Sequence, residues 1–237
     1  MMNVDLFIQN YKEAFGEIVE LPIVFGYSNS PLVETEKING CFLKGLRLVR
    51  EGFPISVNLN NIGCMGGKFY TGFVDMPEQI PQFVSLKEKY KKTPDMVIGF
   101  INNLNVYRTK FSYLNFTRID QIDTFEGWEG IFFLANPDML SGLASWAYFD
   151  NNSDETVTSF FGSGCSSIIT QAVNENRKNG RRTFIGLLDP SARPYFEEDI
   201  LSFMIPMSRF KEMCDTMRQS CLFDTHTWGK VRSRINK

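Results

Sequence analysis

Ser159-Phe160-Phe161-Gly162-Ser163-Gly164-Cys165-Ser166-Ser167 carries an apolar, strand-like run through two glycines into a helical pattern that opens on a cysteine and two serines. A helix start leaves its first N–H groups without intrahelical partners and carries a partial positive charge. Ser163, Gly164, Cys165 and Ser166 therefore read as an address for a ligand, with Phe160 and Phe161 as an aromatic wall beside it. A thiol at such a point is expected to ionise below the roughly 8.5 of a free cysteine.

Outward from this stretch the same alternation recurs. Val4, Phe7, Ile8, Tyr11 and Phe15 fall at helical spacing and Gly16 closes that pattern. Leu21 to Tyr27 reads as a strand, followed by a helix from Gly40-Cys41 to Gly52 and a strand from Ile55 to Leu59. Ile62 to Lys68 is a glycine-rich turn, Pro77 to Lys92 a helix closed by Thr93-Pro94, and Met96 to Ile101 and Phe111 to Ile119 are strands. Gly130 to Leu134 is a buried strand leading into a helix from Met139 to Tyr148. After the opening stretch, a helix runs to about Lys178 and stops at Asn179-Gly180. Phe184 to Leu188 and Ser202 to Ile205 are strands, Arg209 to Cys221 is a helix, and the last dozen residues form a peripheral one. No linker or low-complexity block divides the chain. The expected fold is α/β (mixed α+β), a mixed sheet with packed helices in one domain spanning 1–237.

Two segments share a plan. Gly40-Cys41 starts a helix ending at Gly52 and feeding one strand, and Gly164-Cys165 starts a helix ending at Gly180 and feeding another; the spans are 12 and 16 residues. Their difference is close to one helical turn of about 3.6 residues, which keeps the apolar face. The pattern suggests two similar halves, 21–125 and 126–215, whose Gly-Cys starts would face one cleft. Ordinary strand–helix alternation gives the same appearance without any repeat.

The run Gly40-Cys41-Phe42-Leu43-Lys44-Gly45-Leu46-Arg47-Leu48-Val49-Arg50-Glu51-Gly52, followed by Ile62-Gly63-Cys64-Met65-Gly66-Gly67-Lys68-Phe69-Tyr70-Thr71-Gly72-Phe73, resembles the uncharacterised family called domain of unknown function 169. Members of that family show a cysteine-led helix ending in Arg-x-Gly, then Cys-x-Gly-Gly/Ala, a Gly-Phe and a further cysteine after a later glycine, which Cys165 matches. The likeness covers roughly Leu21 to Phe210 and departs from many members at the polar stretch from Asn102 to Asp123. What the resemblance implies is a soluble bacterial or archaeal α/β protein with no assigned activity.

Cys41, Cys64 and Cys165 are the candidate metal ligands: three thiolates meeting at one pocket would hold a soft metal or an iron–sulfur cluster with one position open. They lack any Cys-x-x-Cys spacing, and cysteine beside glycine also packs small buried volumes without further role. Cys214 and Cys221, seven apart beside Met213 and Met217, read as packing. The single histidine, His226, sits in a polar stretch near the C-terminus, so zinc sites built on several histidines are excluded. Lys44, Gly66, Gly67 and Lys68 suit an anion held by backbone N–H groups, although Gly66-Gly67-Lys68 lacks the rest of a P-loop. Asp189 and Arg193 follow a strand and stand at a cleft rim.

Composition narrows the partners. Aromatics make up 14% of the chain and charged residues 22%, a packed globular balance, and a net charge of −2 offers no basic footprint for nucleic acid. The N-terminal residues read as neither a signal peptide nor a membrane anchor. Five cysteines, an odd count, fit reduced thiols and a cytoplasmic location. The expected function is small-molecule or cofactor binding in a cleft between the two Gly-Cys helix starts, without a membrane or nucleic-acid partner and compatible with a homo-oligomer. An enzyme using a reactive thiolate or a cysteine-bound metal centre, and a structural or regulatory subunit without ligand, remain the alternatives.

Overall fold

The first helix, α1 (Val4–Phe15), forms where the pattern puts it: Asn3 Oδ1 accepts the Leu6 N–H at 2.8 Å, and Gly16 leaves the helix at φ 123°, a conformation that favours glycine. The computed structural model describes residues 3–160 and 162–235. Its strands are β1 (Ile23–Ser28), β2 (Ile55–Val57), β3 (Tyr113–Arg118), β4 (Gly130–Ala135), β5 (Val157–Ser159), β6 (Thr183–Gly186) and β7 (Leu201–Pro206). They form one mixed sheet in the order β2-β3-β1-β4-β7-β6-β5, parallel only between β5 and β6.

The register of this sheet repeats. At its centre Val24 of β1 pairs with Ile131 of β4, flanked by Ile23–Phe132 and Phe25–Gly130. On one side β1 pairs with β3 over six residues, from Ile23–Arg118 to Ser28–Tyr113; on the other, β4 pairs with β7 over six, from Gly130–Pro206 to Ala135–Leu201. Beyond these, β2 meets β3 at Ile55–Phe116, Ser56–Asn115 and Val57–Leu114, and β6 meets β7 at Phe184–Met204, Ile185–Phe203 and Gly186–Ser202. A two-fold exchange about the Val24–Ile131 pair thus carries β1 to β4, β3 to β7 and β2 to β6 without shifting one residue of register.

Alternation along the strands sends side chains to two cores. On one face Phe25, Phe116, Phe132 and Met204 meet two helical segments. The first is a 3₁₀ turn, Phe42–Gly45, continuing as α2 (Leu46–Arg50); the second is a π-helical turn, Ser166–Thr170, continuing as α7 (Gln171–Arg177). The same face carries α3 (Met65–Tyr70), α4 (Ile80–Gln82) with a π turn over Phe83–Lys87, and α5 (Pro94–Leu104). On the other face Val24, Ile131, Phe133, Phe203 and Ile205 pack under α1, α6 (Pro137–Tyr148), α8 (Met207–Thr216) and α9 (His226–Ile235).

Several expectations change. The strand expected over Met96 to Ile101 is helix α5: Thr93 Oγ1 accepts the Met96 N–H at 3.3 Å, Pro94 occupies the first turn, and Val97, Ile101 and Leu104 bury one helical stripe. Thr93-Pro94 therefore opens a helix instead of closing one. The helix expected over Pro77 to Lys92 is confined to residues 80–87, and the turn expected up to Lys68 becomes helical at Met65. The helix expected from Arg209 begins at Met207 and gives way to a 3₁₀ turn at Met217. Phe161, expected at the site, lies outside the described residues.

Arg209 links α6 to α8 from inside the second core. It is fully buried, and its guanidinium donates to the Ala147 carbonyl at 3.1 Å, to Asp150 Oδ2 at 3.1 Å and to Glu212 Oε2 at 3.0 Å. Hydrogen bonds from Arg209 hold the Asp150 carboxyl below the usual carboxylate range, against its partial burial. Asp150→Ala removes one of the two carboxylates on the buried Arg209 and leaves Glu212, so it is expected to cost about 2 kcal/mol in urea unfolding at neutral pH. A depressed folded pKa contributes stability above the unfolded value of about 3.9 and loses it as pH falls through the folded value. The gap between wild type and variant should therefore narrow below about pH 4.

Candidate functional site

Two glycines let the cysteine-bearing segments approach one another. A Cβ on Gly164 would sit 2.7 Å from Leu43 Cδ1 and 3.1 Å from both Leu187 and Ala192, so glycine there lets the turn before Cys165 lie close against the segment carrying Cys41. A Cβ on Gly63 would sit 2.6 Å from the Ile38 carbonyl oxygen, and this close approach sets the position of Cys64. Cys41 caps the 3₁₀ turn Phe42–Gly45. Cys64 caps α3, its Sγ accepting the Gly67 N–H at 3.4 Å. Cys165 is buried at the head of the π turn, where Ser163 Oγ accepts the Ser166 N–H at 3.2 Å and Ser166 Oγ donates to the Ser163 carbonyl at 2.8 Å. Thr170 Oγ1 donates to the Tyr70 carbonyl at 2.8 Å, clasping α3 to that turn.

All three cysteines line one cavity of about 620 Å³. Leu43, Ile80, Phe83, Val84, Val97 and Phe100 give it an apolar wall, much of it supplied by the π turn at Phe83 and by α5. Single π-helical turns recur at functional sites in helical proteins, and this cavity has one on each side. Its polar groups include Tyr70, Ser163, Asp189 and Ser191. Asp189 is 3% exposed. Its Oδ1 accepts from Ser191 Oγ and from the Ala192 N–H at 3.2 Å, while Oδ2 is buried with no hydrogen-bond partner among the described residues.

The thiols of Cys41 and Cys165 hydrogen-bond to one another and divide the proton unequally. Donation from Cys165 pulls the Cys41 thiol below its ordinary value, helped by the Leu43 N–H and the Lys44 charge and opposed by burial. Cys165 is pushed well up by the same bond, by burial and by the neighbouring Cys41, Cys64 and Asp189 charges. Of the two, Cys41 is the readier to ionise and Cys165 the readier to keep its proton. Burial foremost raises the Tyr70 phenol well above its ordinary value, and contact with the Ser163 side chain opposes that shift.

Cys41, Cys64, Gly66, Gly67, Ser163, Gly164 and Cys165 stand on the cavity wall. Ser166 is buried behind it in the turn, and Lys44 and Lys68 are not among the lining residues. The Lys44 ammonium donates to the Asn39 carbonyl at 3.1 Å and lies 5.1 Å from the Tyr195 ring centre. For the expected three-cysteine metal centre, no group of three or more His, Cys, Asp or Glu among the described residues is placed to hold a metal ion. Cys41 and Cys165 are engaged with each other, and Cys64 with a backbone N–H. Arg193 turns from the cavity to the carbonyls of Glu197 and Glu198 at 2.8 and 2.7 Å. Cys214 is core, Cys221 is exposed, and His226 is exposed at the start of α9. Tyr70 and the wall from Ile80 to Phe100 were not anticipated; the Thr93-Pro94 helix start is the signal that would have found Val97 and Phe100.

Sheet, helices and cavity together define an α/β protein with a dithiol set in an apolar pocket. The sequence matches the model of the family domain of unknown function 169, described as uncharacterised ArCR, over residues 21–216, and the chain belongs to that family. No curated protein and no solved structure matches it. Among the described residues no helix is long and apolar enough to cross a membrane.

The hydrogen bond from Cys165 sets the reactivity of Cys41. Cys165→Ala should move the pH midpoint of Cys41 alkylation by iodoacetamide up towards that of an ordinary thiol, near 8.5. Cys165→Ser, which keeps a donor, should move it less. Peptide mass spectrometry across a pH series reads both.

Proposed function

We propose that this protein binds a small, mostly apolar molecule carrying a hydrogen-bond donor at one end, in the cavity where Cys41, Cys64 and Cys165 meet. The cavity itself carries the reading: about 620 Å³ falls inside the range of roughly 300–1,000 Å³ of small-molecule sites, and its walls are apolar with a few polar groups. The donor follows from Asp189. A buried carboxylate oxygen without a partner costs about 1–3 kcal/mol or more, and a ligand hydroxyl or ammonium would satisfy it. The location we propose is the cytoplasm, where thiols stay reduced. We further read residues 21–125 and 126–215 as copies of one unit; the repeated strand register supports that origin.

Gly66 offers a way to block the site. A Cβ there meets only Cys64 Sγ, at 3.7 Å, and the residue lies within α3, where a larger side chain also favours the helix. Gly66→Leu should weaken binding of the apolar dye Nile red, followed by fluorescence, at least about ten-fold, with thermal stability equal to or above wild type. Equal dye binding by both proteins would remove the cavity from consideration.

A further inference from the structure

We propose that Cys41 and Cys165 act as nucleophile and resolving thiol in thiol–disulfide exchange, with a low-molecular-weight disulfide of apolar body as substrate. This rests on the cavity being a ligand site and adds the chemistry done there.

Two thiols from distant parts of the chain are hydrogen-bonded to each other on the wall of an apolar pocket. They differ in access. Cys41 is half-buried, whereas Cys165 is 6% exposed and lies behind the bond it donates. A sulfur entering the cavity therefore meets Cys41 first, the more accessible thiol and the one that ionises more readily, and Cys165 is already in contact with the sulfur it must later attack. The chemistry needs no other acid or base. The single histidine is exposed on α9, so no cysteine–histidine pair for acyl transfer is assembled here.

The steps balance within the pair. Cys41 thiolate attacks one sulfur of RS–SR; a Cys41–SR bond forms, the S–S bond of the substrate breaks, and RS⁻ leaves. That leaving thiolate takes the Cys165 proton and departs as RSH. Cys165 thiolate then attacks Cys41 Sγ, forming the Cys41–Cys165 disulfide and expelling the second RS⁻, which is protonated by water. The protein pair is oxidised by two electrons and the substrate is reduced to two RSH. A dithiol reductant returns the pair to its starting state.

The test uses dithiodipyridine, a small aromatic disulfide whose released thiopyridone absorbs in the near ultraviolet, on a Cys221→Ser background that removes the exposed thiol. With one equivalent of reagent, the protein should release two equivalents of thiopyridone, keep no adduct by intact mass, and yield a Cys41–Cys165 linked peptide that dithiothreitol abolishes. Cys165→Ala should release one equivalent and retain a mixed disulfide on Cys41; Cys41→Ala should slow release at least about ten-fold. Folding of each variant is checked by near-ultraviolet circular dichroism. First modification at Cys64, or a lasting adduct on Cys41 in the protein that keeps Cys165, overturns the proposal. Nile red separates the two readings: dye bound without the linked peptide overturns exchange alone, and the linked peptide without dye binding, unaffected by Gly66→Leu, overturns the ligand-site reading alone.

Discussion

The pairing of Val24 with Ile131 at the centre of the sheet is the constraint on which the rest of the structure depends. Side chains alternate along a strand, so a slip of one residue would exchange its two faces. Phe25 and Phe132 would leave the core they share with Phe42 and Ile168, and Val24 and Ile131 would leave the core under α1 and α6. Because the outer pairs β1–β3 and β4–β7 hold matching registers, the two helical segments led by Cys41 and Cys165 come down on the same face. The meeting of those thiols is thus a consequence of sheet register, completed locally by the absence of a side chain at Gly164.

The two cores bear their polar groups differently. In the core beneath α6 and α8, the buried Arg209 is held by Asp150, Glu212 and the Ala147 carbonyl, and the Trp146 indole donates to Met213. On the cavity side Asp189 Oδ2 lacks a partner among the described residues, two thiols meet, and two helices widen into π turns. Native chains concentrate such local conflicts where a ligand or a reaction completes them. Buried atoms without a partner also occur elsewhere among the described residues, at Arg209 Nε and Ser208 Oγ; the cavity differs in bringing a carboxylate oxygen, two thiols and a π turn together.

Much of the architecture was legible because its signals are local. Asn3 and Gly16 punctuate α1, Ile131 to Leu134 reads as a buried run, and the Gly-Cys dipeptides mark both helical segments. The cysteines and glycines that line the cavity, with Ser163, stand out in the sequence for the same reason. The wall opposite them was not. Met96 to Ile101 is an apolar run too short for its period to be decided, and it was settled by Thr93 and Pro94 two residues upstream. The role of Asp189 depends on burial, and the engagement of Lys44 with Asn39 and Tyr195 depends on a fold-level contact; neither leaves a trace in spacing.

The symmetry of the strand register makes the asymmetry of the thiols informative. Two cysteines in equivalent surroundings would share a proton evenly, and neither would be a better nucleophile. What breaks the equivalence is the material inserted between the matched strands. Between β2 and β3 the chain builds α3, α4 and α5, which form the cavity wall; the corresponding stretch between β6 and β7 holds only a short turn around Arg193–Tyr195. That one-sided insertion encloses space beside Cys41, while the turn before Cys165 packs at Gly164 against Leu43, Leu187 and Ala192. The pocket and the unequal surroundings of the two thiols therefore have a single structural origin: an elaboration of one half of a sheet whose β1–β3–β2 and β4–β7–β6 pairings match.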